Sequence, residues 1–260
     1  MNITVCIKQV PGSNEVRMDP VTNTIIRDAE DAVINPFDTF GIEEAIRLKE
    51  RFGGHITALS MGIPAVSELL REAMSLGCDE GILLSDRAFA GADTLATAYA
   101  LSLAVPNGCD LIICGKQATD GDTAQVGPML AEMLAIGHLS DVSEVVDVSG
   151  GKITCRRMTD DGYELVSMIL PALITVTKEI NVPRLPSVLG LLRGKSAPVP
   201  VLSAADVKAD TARTGLTGSP TQVVRTFIPS HTAASITLPG NSPREKAAAL
   251  AAALRERGII

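Results

Sequence analysis

Between residues 2 and 136 the chain repeats one pattern four times. A short run rich in β-branched and aliphatic residues gives way to a loop, then to apolar residues at helical spacing. Strand-helix alternation of this kind predicts an α/β fold with a doubly wound, mostly parallel sheet and right-handed crossovers. Strands are expected at Asn2 to Val10, His55 to Ser60, Glu80 to Ser85 and Asp110 to Cys114. Helices are expected from Pro36 to Arg51, from Pro64 to Leu76, from the loop 88–94 to near Val105, and from Ala124 to Ile136. Asn35 occupies a capping position before Pro36 at N1, and Gly77 stops the second helix. Val21 to Arg27 reads as a small hairpin arm.

Ligands of such sheets lie at the carboxyl ends of the strands. The fold brings four distant segments to that edge: Cys6 to Gln9, Met61-Gly62, Phe89 to Thr94 and Gly115 to Val126. The stretch from Leu111 to Gly127 is the most informative of these. An apolar run ends at Gly115, a polar loop carries Asp120, Gly121, Asp122 and Thr123, and small residues from Ala124 open a helix. Backbone N–H groups and a helix dipole then converge on one spot, which suits a phosphate or pyrophosphate. The same spacing also fits a plain connection in which Asp122 or Thr123 only caps the helix.

From Asp141 the pattern changes to closely spaced strands at 142–148, 152–159, 163–168 and 172–177, with turns at Gly150-Gly151 and Asp160-Asp161-Gly162. This predicts an antiparallel extension whose last strand rejoins the main sheet. Residues 204–222 hold almost no large apolar side chains and cannot build a core of their own. Pro243 to Arg257 reads as an end helix with Leu250 and Leu254 on one face, expected to dock on this domain or on a partner subunit. The division follows: a nucleotide-binding α/β domain over 1–200, and an extended C-terminal arm over 201–260.

Composition narrows the function classes. A net charge of -7 leaves no basic face for nucleic acid. Aromatics are 3% with no Trp, so a flat ring must be held mainly by backbone and aliphatic groups. Five scattered cysteines make neither a disulfide framework nor a zinc site. No stretch approaches the ~18 to 20 apolar residues of a membrane span. The first residues enter a strand without a basic region and long apolar core, so a cytoplasmic location is expected. His55, His138 and His231 are isolated, and no catalytic acid, base or nucleophile is assigned.

Several motifs together resemble the β subunit of electron transfer flavoproteins over nearly the whole chain. They are Cys6-Ile7-Lys8-Gln9-Val10-Pro11, Asn35-Pro36-Phe37-Asp38, and Gly115-Lys116-Gln117-Ala118 followed by Asp120 to Gly127. A further signature joins Arg157, an acidic turn, Glu164, Val166, Pro171 and the strand Leu173-Ile174-Thr175-Val176. Cys155 departs from it, standing where the family usually has a small aliphatic residue. The resemblance implies an adenine-nucleotide fold paired with an α subunit that carries its own FAD. Ordinary members hold AMP in a structural role; electron-bifurcating members hold FAD that takes hydride from NADH. Gly91-Ala92-Asp93-Thr94-Leu95-Ala96-Thr97 is similar to the bifurcating type, whose two threonines contact the flavin-bearing half.

Carried over by position, the resemblance places the adenosine half against Cys6, Asn35, Asp38 and Met61. Gly115 and Gln117 belong to the same loop. The pyrophosphate falls on Gly121, Asp122, Thr123, Ala124, Gln125 and Val126, with Asp120 and Asp122 turned to ribose hydroxyls, backbone N–H groups or water. Thr94 and Thr97 are assigned to the flavin. Residues 181–195 match the loop that inserts into a dehydrogenase, with Val188 as anchor; Leu189 replaces a common proline, and the following lysine run is missing. The implied partners are an α subunit, an acyl-CoA dehydrogenase-like or other flavin dehydrogenase, and ferredoxin or flavodoxin. An AMP-holding, non-bifurcating subunit is the first alternative. A nucleotide-binding signalling module with a similar sheet is the second.

Overall fold

The computed structural model describes residues 1–12, 17–18, 25–26, 32–224 and 235–260. In chain order the elements are β1 (Asn2–Cys6), β2 (Gln9–Pro11), β3 (Arg17–Met18), β4 (Ile25–Ile26), β5 (Ala32–Ile34) and α1 (Pro36–Phe52). Next come β6 (His55–Met61), α2 (Ser67–Leu76), β7 (Glu80–Leu84), α3 (Thr94–Ser102), β8 (Leu111–Gly115) and α4 (Val126–Met133). The second half holds β9 (Gly137–Ser149), β10 (Lys152–Thr159), β11 (Gly162–Ile169), β12 (Ala172–Val176), α5 (Val188–Ser196), β13 (Val201–Leu202) and α6 (Pro243–Glu256).

Nine strands form the main sheet in the order β11-β10-β9-β12-β8-β1-β6-β7-β13. The pairs β12/β8, β8/β1, β1/β6, β6/β7 and β7/β13 are parallel, whereas β9, β10 and β11 pair antiparallel. This is the expected doubly wound fold with its antiparallel extension, and β12 returns beside β8 as the last extension strand was expected to do. Because side chains alternate along a strand, each central strand serves two cores. Ile3, Val5, Leu111 and Ile113 face α1 and α2 with Ile42, Leu48, Leu70 and Met74; Cys6, Ile112 and Cys114 face α3 and α4 with Ala98, Leu101 and Leu130.

Local chemistry sets the helix ends. Gly53 follows α1 at φ 69 and its N–H bonds Lys49 O, and Gly77 ends α2 at φ 147. Asp93 caps α3 through the N–H groups of Leu95 and Ala96.

The structure corrects several expectations. The first strand stops at Cys6: β2 turns away to pair antiparallel with β5 in a separate two-stranded sheet, since Asn35 N–H takes the Lys8 carbonyl at 2.8 Å. The third helix closes at Ser102, short of Val105. The fourth begins at Val126, not Ala124, because Asp122 and Ala124 adopt left-handed φ of 53° and 55°. It ends at Met133, before Ala135 at φ 53. Residues 188–196 are helical where a loop was expected. Of the hairpin at Val21 to Arg27, Ile25–Ile26 pair antiparallel with Arg17–Met18, and the remaining positions lie outside the described residues.

The boundary at 200/201 is also displaced. β13 joins β7, Leu216 N–H bonds Ala90 O at 3.0 Å, and Asp210 N–H bonds the Tyr99 hydroxyl at 2.9 Å. Lacking apolar bulk, the segment folds back by hydrogen bonds, and the compact units are Met1–Val224 and Arg225–Ile260. Within the second unit, α6 opens with a reciprocal capping box between Ser242 and Glu245 and has Pro243 in its first turn.

The closeness of α4 to the sheet gives a test. A Cβ at Gly127 would lie 2.6 Å from Thr175 Cγ2, whereas one at Gly121 meets nothing within 4 Å. Gly127→Ala should lower unfolding free energy by about 1–3 kcal/mol through overpacking. Gly121→Ala should stay within about 0.5 kcal/mol of the parent in the same denaturant titration.

Candidate functional site at the carboxyl edge of the sheet

Asp38, in the first turn of α1, is 5% exposed and gathers three chain segments. Lys8 N–H donates to its Oδ2 at 2.7 Å, and Asn35 Nδ2 donates to its Oδ1 at 2.9 Å. The third segment is Gly115: its backbone also bonds the carboxylate, and any Cβ there would strike Asp38 Oδ1 and lie 2.7 Å from Phe37 Cβ. Burial pushes the Asp38 carboxyl up to about 7, against the opposing pull of the bonds from Asn35, Lys8 and Gly115.

Asn35 stands at the N-cap of α1, yet its side chain makes no capping bond. Instead, Nδ2 also donates to Gln117 O at 2.8 Å, and Oδ1 accepts from Thr119 N–H at 3.2 Å. The asparagine therefore clamps the loop after β8 from below. Above the clamp, Lys8 Nζ meets Asp120 Oδ1 at 2.6 Å, and Gln117 Nε2 donates to Asp122 Oδ1. Asp122 N–H closes a turn onto Ala118 O at 2.8 Å. Both carboxylates are thus engaged within the loop by a cation and an amide.

The N–H groups of Gly121, Thr123, Ala124, Gln125 and Val126 make no hydrogen bond to any described residue. Neither Asp122 nor Thr123 caps the helix: Gln125 holds the N-cap position of α4, without a side-chain bond. The plain capping explanation of this loop therefore fails. What remains is a run of backbone donors at an uncapped helix start, shaped by two left-handed residues, an arrangement whose chemistry suits an anionic group.

A second group lies at the start of α3. Asp93 caps the helix with Oδ1 and, with Oδ2, accepts from Thr221 N–H and Oγ1 at 3.0 and 2.8 Å. Asp93 N–H donates to Ser219 Oγ at 2.8 Å. Thr94 and Thr97 follow one turn apart, half-buried, and neither hydroxyl bonds a described residue. α3 and α4 share one face of the sheet, so both helix starts belong to its carboxyl edge.

Cys6 and Met61 end β1 and β6 and pack into the core beneath this edge. Cys6 pairs in register with Cys114, whose thiol is pushed well above its ordinary range by the neighbouring Cys6 thiol and by burial. The buried hydroxyl of Ser60 has no partner among the described residues, leaving a polar atom at the same strand end. Thus Cys6, Asn35, Asp38, Met61, Gly115, Gln117 and residues 120–126 converge, with Thr94 and Thr97 on the same edge. Val188 and Leu189 do not: they lie on α5, which packs against α2 on the other face.

Sequence reasoning missed Lys8, Ser60, Ser219 and Thr221. Lys8 was detectable as a cation just past a strand end. The others depend on long-range contacts that leave no local signal. Cavities of about 330 and 220 Å³ lie beside α5 and at the amino ends of the strands, away from this edge. Among the described residues no cluster of His, Cys, Asp or Glu could hold a metal, and no helix is long and apolar enough to cross a membrane.

The model of the electron transfer flavoprotein domain matches residues 22–207. The chain belongs to the electron transfer flavoprotein β-subunit family. It is 47% identical over 262 residues to an electron transfer flavoprotein subunit beta from Thermoanaerobacterium thermosaccharolyticum, covering 100% of both chains. Protein FixA of Azorhizobium caulinodans is 42% identical, over 99% of this chain and 95% of its own. The caffeyl-CoA reductase-Etf complex subunit CarD of Acetobacterium woodii is 40% identical over the full length of both. Membership in the family implies an α-subunit partner.

Asp38 makes the site's pH response testable. Its carboxyl ionises near 7 when folded and near its ordinary 3.8 when unfolded. Between these values the folded chain keeps a proton that the unfolded chain has lost, so stability falls as pH rises, by about 4 kcal/mol in all. Relative to Asp38→Asn, the isolated chain should lose stability as pH rises from about 4 to about 7, with no further loss above that. A flat or rising difference in denaturation midpoint contradicts the assignment.

Proposed function

We propose that this chain is the FAD-holding β subunit of an electron-bifurcating electron transfer flavoprotein. Cys6, Asn35, Asp38 and Met61 hold the adenosine half, and the N–H groups of Gly121 to Val126 hold the pyrophosphate. Thr94 and Thr97 face the flavin-bearing half. The observation that carries this reading is the pair of unbonded hydroxyls on the Asp93-capped start of α3, at the same edge as the free backbone donors. An AMP-holding subunit would use the same Asn35 clamp and phosphate nest but would have no use for Thr94 and Thr97.

Bound FAD supplies hydride acceptance from NADH and delivery of single electrons, one to ferredoxin or flavodoxin and one through the α-subunit FAD to a dehydrogenase. This chain's residues bind and orient. The Asn35 and Asp38 clamp fixes the loop so that its donors point at one place, and the engagement of Asp120 and Asp122 by Lys8 and Gln117 reduces their repulsion of an incoming diphosphate. The outer face of α5, led by Val188 and Leu189, contacts an acyl-CoA dehydrogenase-like flavin enzyme. The name of the Acetobacterium woodii relative, which pairs it with a caffeyl-CoA reductase, supports a partner that acts on CoA thioesters.

The test is Thr94→Val with Thr97→Val in the purified heterodimer, which keeps shape and removes both hydroxyls. The variant should release one flavin on desalting while the α-subunit flavin stays, and NADH bleaching should fall at least about tenfold, the scale of one or two lost hydrogen bonds. Retention of both flavins, or equal loss of both, contradicts the assignment.

A further inference from the structure

Helix α5 is built inside out. Its glycines face inward: a Cβ on Gly194 would lie 2.5 Å from Arg71 O, and one on Gly190 would strike Ser75 O. Arg193 Nη2 adds a bond to Met74 O at 2.8 Å. Its large apolar side chains face outward, with Val188 75% and Leu189 78% exposed. Glycine contacts bring α5 close to α2, but a smooth stripe does little to stop sliding or rotation. The bonds from Arg193 to Met74 O and from Arg71 Nε to Ala197 O, at 3.2 Å, tie the C-terminal half of α5; its start is held by a separate anchor.

The anchor lies in the approach to the helix. Asn181 Nδ2 donates to Phe40 O at 3.0 Å and to Glu44 Oε2 at 3.1 Å. Three residues on, Arg184 grips two carboxylates about two helical turns apart on α1. Its Nε and Nη2 donate to Glu43 at 2.8 and 3.2 Å, its Nη1 and Nη2 to Glu50 at 2.6 and 3.1 Å, and its backbone N–H to Glu43 at 3.2 Å. The Glu43 carboxylate is only 4% exposed and also accepts from Arg47 Nε at 2.7 Å. Burial pushes the Glu43 carboxyl up, and the Arg184 and Arg47 guanidinium groups more than offset this, so it lies below its ordinary range. A planar fork spanning two fixed carboxylates defines both position and direction, which a lysine could not do. Ser187 then caps α5 through Gly190 N–H at 3.0 Å, three residues beyond the grip.

We propose that Arg184 is a positioning residue for partner docking: by bridging Glu43 and Glu50 of α1 it fixes the start of α5, so that Val188 and Leu189 are presented in one orientation. The inference rests on the reading of α5's outer face as the dehydrogenase contact.

The experiment uses the assembled heterodimer, with a purified acyl-CoA dehydrogenase reduced by its substrate as the probe. Arg184→Gln should raise the KM for the heterodimer at least about fivefold with kcat unchanged, the mark of lost docking rather than lost chemistry. Amide exchange over residues 188–191 should speed up at least about tenfold while β1 and β8 stay protected. Arg184→Lys keeps the charge but cannot span two carboxylates, so an intermediate KM is expected; it decides the matter if the glutamine variant does not assemble. Val188→Asp tests the surface reading separately. A raised KM for Val188→Asp with parental KM and exchange for the Arg184 variants overturns the positioning role. A parental KM for Val188→Asp overturns the surface reading and the role of Arg184 with it.

Discussion

One buried carboxylate, Asp38, holds the carboxyl edge of this sheet together. It accepts from the backbone after β1, from the side chain of Asn35 and from the backbone at the end of β8. Three segments separated by some thirty to eighty residues therefore share one acceptor. Burying a carboxylate is unfavourable unless its lone pairs are satisfied, and here they are satisfied by groups that must otherwise find partners of their own. Asn35 extends the hold by two further bonds into the loop at Gln117 and Thr119. Gly115 has no side chain because the carboxylate occupies that space.

The consequences run outward from this point. With its base clamped, the loop closes on itself through the pairs Lys8 with Asp120 and Gln117 with Asp122, and two residues enter left-handed conformations. The N–H groups from Thr123 to Val126 are left without a partner among the described residues. Strain of this kind is held only where the surroundings over-determine it. On the opposite face, α5 turns glycines toward α2 and leucines outward. One sheet thus separates the edge built around Asp38 from the exposed apolar face of α5.

Much of the architecture was legible because it follows from local periodicity. Alternating strand and helix patterns gave the parallel sheet, Gly77 gave a helix stop, and turn residues at 150–151 and 160–162 gave the antiparallel extension. What was misplaced depends on partners distant in sequence. Val10 looks like a continuation of the first strand, but the bond from Asn35 N–H to Lys8 O redirects the chain. Ala124 looks like a helix start, but its left-handed backbone delays α4 to Val126. The segment after Val201 lacks apolar residues and reads as an arm, yet Asp93, Tyr99 and Ala90 bind it by hydrogen bonds that no pattern announces. The site residues were named from motifs; that Asn35 clamps a loop instead of capping its own helix is a matter of geometry alone.

The central claim is that the edge built around Asp38 takes a full FAD and not only an adenine mononucleotide. The most direct measurement is cofactor stoichiometry in the heterodimer purified with its α subunit, by acid extraction and chromatography of the released nucleotides. The account predicts two FAD and no AMP per heterodimer. One FAD and one AMP would contradict it.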